Sequence, residues 1–122
     1  MIVLGVALAG AVGAPARFLL DTWLSERLAR AFPWGTLVVN VSGSLLLGVV
    51  AGLGLYHGLP DTPRLLLATG FCGAYTTFST FAVETVRLAR DGARGAAVAN
   101  TVGSLVAGLL AAAAGLALAS AL

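Results

Sequence analysis

Four stretches free of charged side chains organise this sequence: residues 1–16, 32–58, 65–83 and 95–122, the second holding one histidine. Crossing the hydrocarbon of a bilayer takes about 20 mostly apolar residues in a helix. Each stretch supports one such span, and little chain remains between them. The composition agrees: 10% of the residues are charged and the mean hydropathy is +0.99, where a soluble domain carries about 25% charged residues. The expected fold is all-α and membrane-integral. It is a single four-helix domain over residues 1–122, with spans at about residues 2–20, 34–56, 64–89 and 95–120. No soluble domain is expected beside it.

The segments between the spans are consistent with this. The net charge of +2 comes from arginine alone, with no lysine. These arginines lie at span ends and in loops, a placement that suits lipid headgroups rather than nucleic acid. "DTWLSERLARAFP" (residues 21–33) is amphipathic, with Trp23 within it and Trp34 just after it as anchors, so it is expected to lie at the membrane interface. "HGLPDTP" and "RDGARG" are turns by composition. Residues 1–13 lack the basic region of a signal peptide, and the single Cys72 excludes an internal disulfide.

Displacing the chain by sixty residues against itself aligns "AGAVGAPARF" with "TGFCGAYTTF", "RLAR" (27–30) with "RLAR" (87–90), and "NVSGSLLLG" with "NTVGSLVAG". Roughly 16 of 60 positions agree, which implies a repeated helix pair. Two helices return the chain to its starting side, so the copies are expected to run parallel rather than inverted. Within the shared motif, Asn40, Gly43, Ser44 and Gly48 fall on one helical face, as do Asn100, Gly103, Ser104 and Gly108. The glycines suit close helix packing, while the asparagines suit either packing or the lining of a polar pathway.

The third span holds the least helix-like stretch, "GFCGAYTTFSTF" (residues 70–81). Gly70 and Gly73 each cost a helix about 1 kcal/mol relative to alanine, and Thr76, Thr77, Ser79 and Thr80 compete with the helical ladder for carbonyls. Two readings follow: a straight helix with back-bonded hydroxyls, or a break near mid-membrane. A break frees carbonyls that protein or an ion must satisfy, and a hard cation suits them. Phe78 and Phe81 share a face. They either pack against lipid or, with their positive ring edges among hydroxyls, offer weak charge-free stabilisation to a small anion.

No Asp, Glu or Lys sits at a span centre, where a proton-coupled transporter usually carries a carboxylate or histidine. Paired catalytic carboxylates, a metal-ligand cluster, a nucleophile elbow and a phosphate loop are all missing. The pattern argues against an enzyme and for a passive pore. A small multidrug-type transporter of dual topology wants a carboxylate in the first span, and residues 2–16 have none. A non-transporting assembly protein would need only the small-residue faces.

"GAPARF" in the first span, "GTLVVNVSGS" in the second and "GFCGAYTTFSTF" in the third together resemble the Fluc (CrcB) fluoride channel family, along essentially the whole chain. The resemblance implies a channel that passively exports cytoplasmic fluoride, built as an antiparallel, dual-topology homodimer in the cell inner or plasma membrane. It implies a structural Na⁺ at the dimer centre on the carbonyls of Gly73 and Thr76. It also implies a fluoride pathway with Phe78 and Phe81 as pore rings, Asn40, Ser79, Thr80 and Thr36 as polar lining, Ser104 as a pore hydroxyl and Arg17 as vestibule cation. Asn100 stands where the family is expected to carry an aromatic hydroxyl. The loops after the first and third spans hold six of the seven arginines. That bias favours one orientation and leaves a heterodimer with a homologue as the alternative partner.

Overall fold

A computed structural model of the chain describes residues 1–28 and 31–122. The first copy of the "RLAR" repeat includes Ala29 and Arg30, which lie outside the described residues. All regular structure in the described residues is helical. Four helices are long and apolar enough to cross a membrane: Ile2–Arg27, Trp34–His57, the joined helix Asp61–Arg90, and Arg94–Ala121. We label them α1 (Ile2–Arg27), α2 (Trp34–His57), α3 (residues 61–75), α4 (Ser79–Arg90) and α5 (Arg94–Ala121), with α3 and α4 together forming the third span. Large apolar side chains of α1 and α5, such as Leu4, Leu8, Leu105 and Leu109, point outward. Among the most buried residues are the polar Asn100, at 1% exposure, and Thr36, at 2%. Apolar surface outside and polar groups inside is the distribution a hydrocarbon solvent selects, since lipid cannot satisfy a polar group.

α1 runs to Arg27, past the end expected near residue 20. The amphipathic segment keeps helical geometry because its polar side chains bond within the helix. Ser25 Oγ reaches Asp21 Oδ1 at 3.4 Å, and the Arg27 guanidinium lies 4.2 Å from the centroid of the Trp23 ring. Pro15 lies inside α1 without ending it, as proline in membrane helices commonly does when neighbours cover the freed backbone. α2 stops at Gly58, whose φ of 66° is left-handed, with the Leu59 N–H returning to the Leu53 carbonyl at 3.1 Å. This glycine-based stop needs a residue without a Cβ. Gly92 (φ 82°) likewise lies just past α4, where the Ala93 N–H returns to Leu88 O at 2.9 Å.

Inside α3, Leu66–Cys72 is a π-helix, which no local sequence signal announces. Its wide turn sits where α1 comes closest. A Cβ on Gly70 would stand 2.7 Å from the Ala9 Cβ and 2.9 Å from the Val6 carbonyl oxygen, and one on Gly13 would collide with the carbonyl of Phe71. Regular helix is lost after Tyr75: Thr76 is extended (φ −79°, ψ 160°) and helix resumes at Ser79. The joined helix bends by 27°.

The repeat-related helices are packing partners, α1 with α3 and α2 with α5. Gly108 lies opposite Ser44, Gly48 against the backbone of Ala112, and Gly52 against Leu116 and Ala119. Partner numbers rise together along both helices, so α2 and α5 run parallel. Their register lies about one helical turn beyond the sixty-residue repeat. The glycines make this contact close, because a Cβ on Gly48 or Gly115 would enter the facing backbone. At the far end, His57 Nε2 lies 2.7 Å from the Ala119 carbonyl oxygen, joining α2 to the last turn of α5.

Replacing Gly48 by leucine should separate α2 from α5 and cost about 1–3 kcal/mol. Thermal unfolding of the detergent-purified protein reads this as a lowered midpoint. Gly95 has nothing within 4 Å of an added Cβ, so Gly95→Ala should leave the midpoint unchanged or raise it slightly. Equal behaviour of the two variants would contradict the packing assigned here.

Candidate functional site

Asn40 lies in the second turn of α2, facing the interruption of the third span. Its Nδ2 donates to the Thr77 carbonyl at 2.8 Å, and its Oδ1 accepts the Thr77 N–H at 2.8 Å. One side-chain amide therefore satisfies both backbone groups of one residue that has left the helical ladder. Thr77 is itself a hub. Its hydroxyl accepts the Thr80 N–H at 3.2 Å, donates to Thr80 Oγ1 at 3.1 Å and lies 3.4 Å from Ser79 Oγ.

These bonds divert two donors. In a continuous helix the Thr77 N–H would go to the Gly73 carbonyl, and the Thr80 N–H to the Thr76 carbonyl. Here the first goes to Asn40 and the second to the Thr77 hydroxyl. The carbonyls of Gly73 and Thr76 thus lose their helical donors. The Cys72 carbonyl one turn earlier is fully served, accepting the Thr76 N–H and the Thr76 hydroxyl, each at 2.9 Å.

Two cavities adjoin this knot, and Thr77 lines both. The smaller, of about 150 Å³, is bounded by Arg17, Asp21, Thr36, Thr77 and Thr80. The larger, of about 550 Å³, is bounded by Asn40, Gly73, Thr76, Phe78, Phe81 and Ser104 among others. Nine of the ten site residues expected from sequence fall on these two cavities. The tenth, Ser79, lines neither and is exposed. The rings of Phe78 and Phe81 stand 5.8 Å apart at 47°, and Phe78 is 79% exposed in the single chain.

Thr36 Oγ1 is buried and, among the described residues, has no hydrogen-bond partner, as is also true of Glu84 Oε2. A buried hydroxyl left unpaired costs about 1–3 kcal/mol. Thr36 lines the small cavity and neighbours the Glu84 carboxyl, the other unpartnered group.

Three participants were not marked as site residues from sequence. Thr77 is one of several hydroxyls in its stretch, and only the demand of a membrane-embedded asparagine for both a donor and an acceptor would have singled it out. Asn100 donates through Nδ2 to Thr85 Oγ1 at 2.8 Å, and Ser104 Oγ approaches its Oδ1 at 3.4 Å. Tyr75, with its hydroxyl 2.8 Å from Ser42 Oγ, ties the end of α3 to α2.

The arrangement is that of a small multi-pass membrane protein with two partly polar cavities beside the point where regular helix is lost after Tyr75. The family model described as "CrcB-like protein, Camphor Resistance (CrcB)" matches residues 4–116. The protein "Fluoride-specific ion channel FluC 2" of Mycobacterium bovis is 52% identical over 109 residues, covering 89% of this chain and 83% of that protein. A second protein of that name, from Cutibacterium acnes, is 49% identical over 121 residues, 98% of each chain. "Fluoride-specific ion channel FluC 1" of Leifsonia xyli is 49% identical over 116 residues, 95% of this chain and 85% of its own. The chain belongs to the CrcB family.

Asn40→Leu would leave the Thr77 N–H and C=O unpaired in a low-dielectric interior. Its expected cost is about 2–4 kcal/mol of stability, measured as a fall in the thermal midpoint in detergent. An unchanged midpoint would mean that the two hydrogen bonds do not hold the interruption.

Proposed function

We propose that this protein is a fluoride-selective channel through which cytoplasmic F⁻ leaves the cell passively, across the inner or plasma membrane. The observation that carries the reading is that relatives named fluoride-specific ion channels align over 89–98% of the chain at 49–52% identity. Acid chemistry supplies the need, since neutral HF crosses lipid and ionises inside, where the anion is trapped without a pore.

The residues support a path for such an anion. Arg17 lends positive charge to the small cavity, tempered by Asp21 on the same wall. The Thr36 and Thr80 hydroxyls replace part of the hydration shell. In the larger cavity Asn40 has spent one N–H on Thr77 and keeps a second. Ser104 and the positive ring edges of Phe78 and Phe81 complete the lining. Beyond the Arg17 and Asp21 pair these groups are neutral, so the ion is stabilised without being trapped, as conduction requires. Ser79, outside both cavities, acts in this reading through its approach to the Thr77 hydroxyl.

In the same reading the interruption of the third span is a functional break, and the carbonyls of Gly73 and Thr76 hold a structural Na⁺. The loss of their helical donors to Asn40 and Thr77 supports this, because a hard cation takes oxygen ligands. Two carbonyls under-coordinate such an ion, and a second copy about a two-fold axis would supply two more. The exposure of Phe78 and Gly73 in the single chain fits an antiparallel homodimer that closes over this surface.

Liposomes loaded with fluoride test the channel. Purified protein should give rapid F⁻ efflux and negligible Cl⁻ efflux, and well-folded protein that passes no F⁻ overturns the reading. Phe78→Ile and Phe81→Ile should each slow F⁻ efflux by about tenfold or more while eluting as the wild type does on size exclusion. If both conduct normally, the ring edges have no part in permeation. Dialysis into Na⁺-free buffer should lower the thermal midpoint and the efflux, with recovery on returning Na⁺. Indifference to Na⁺ removes the cation from the reading.

A further inference from the structure

We infer that Asn100 is a positioning residue for Phe81, acting through Thr85 to hold α4 against α5. The inference rests on the channel reading of Phe81 and concerns how that ring is kept in place. α4 carries Phe81 in its first turn and Phe78 just before it, yet none of its residues is fully buried. Packing alone therefore fixes this helix weakly. Asn40 holds the chain before α4, at Thr77, and the turn at Gly92 joins its far end to α5.

Between these points the described residues show one side-chain hydrogen bond from α4 to α5, Asn100 Nδ2 to Thr85 Oγ1 at 2.8 Å. The Thr85 hydroxyl in turn donates a hydrogen bond to the Phe81 carbonyl at 2.8 Å. The result is a relay from amide to hydroxyl to peptide that ends on the backbone of the pore ring. Bonds in such a chain polarise and strengthen one another in a low-dielectric interior.

Asn100 is 1% exposed, and its Oδ1 faces Ser104 Oγ at 3.4 Å, so its amide is oriented from both ends. Ser104 and Phe81 both line the larger cavity, whereas Asn100 and Thr85 do not. The asparagine thus acts behind the wall of the passage, setting the spacing of the two helices that form it. The asparagine of the second repeat does what Asn40 does in the first: it ties a neighbouring segment of the third span to its own helix.

The relay predicts coupling. Asn100→Leu deletes the bond between the helices and Thr85→Val deletes both bonds of the relay, each at nearly constant shape. Each should slow F⁻ efflux by about tenfold. The double variant should be no slower than either single one. Thr85→Ser, which keeps the hydroxyl, should recover the efflux lost in Thr85→Val.

A readout independent of transport is the ¹⁹F spectrum of 4-fluorophenylalanine placed at position 81. Asn100→Leu and Thr85→Val should move or broaden its resonance in the same way, and Thr85→Ser should return it. An unmoved resonance in both variants overturns the inference, as does multiplication of the two effects on efflux. Should the wild-type protein pass no F⁻, the channel reading falls, while the ¹⁹F comparison still decides whether Asn100 positions Phe81. Were Asn100→Leu to fail to fold, the contrast between Thr85→Val and Thr85→Ser decides it alone.

Discussion

The two hydrogen bonds between Asn40 and the backbone of Thr77 make the rest of the third span possible. A chain that leaves helical geometry inside hydrocarbon exposes donors and acceptors that lipid cannot serve, each costing several kcal/mol. A primary amide carries a donor and an acceptor in the arrangement of a peptide group, so one side chain covers the loss at one residue. Polar coverage is economical here. The Thr77 hydroxyl caps the next free N–H, that of Thr80, and the Thr76 side chain and N–H share the Cys72 carbonyl. What remains is selective: the carbonyls of Gly73 and Thr76, whose helical donors have been drawn away, and, on the small cavity, the Thr36 hydroxyl beside the Glu84 carboxyl.

Close helix packing supplies the frame that keeps this knot in register. Without a hydrophobic force between helices in lipid, association depends on backbone approach and interhelical hydrogen bonds. α2 and α5 meet through Gly48 and Gly115, and α1 meets the π-helical part of α3 through Gly13 and Gly70. Both contacts join repeat-related elements running parallel. The two copies of the motif have nevertheless diverged in use. Gly43 lies hard against Thr76 and Tyr75, while its counterpart Gly103 has nothing within 4 Å. The asparagines kept a common task, each reaching for the third span, but Asn40 holds backbone and Asn100 holds a threonine hydroxyl.

Much of the architecture was legible because hydropathy in a membrane chain is a length measurement. Four apolar runs can only be four spans, and the self-match at sixty residues correctly implied parallel copies. The boundaries were less legible. α1 continues to Arg27 because Ser25 and Arg27 find partners one turn back, and amphipathic composition alone does not distinguish such a continuation from a separate interfacial segment. The π-helix had no signal at all. Its stability depends on the fit of Gly70 against Val6 and Ala9 of α1, a tertiary fact that no local propensity encodes.

The candidate site divides along the same line. Residues that must be a particular chemical type, such as Asn40 and the paired phenylalanines, could be singled out from type and spacing, while Arg17 was marked only by the family resemblance. Residues whose role is to serve another group could not, because a threonine in a membrane helix can always bond its own i−4 carbonyl. Thr85 does so, to Phe81, and so looks ordinary along the chain. Only the arrival of the Asn100 amide on the same oxygen turns a common back-bond into a link between two helices. Sequence therefore discloses the groups that can touch an ion more readily than those that hold them still. In a bundle with so few buried side chains, the second set decides whether the first stays in position.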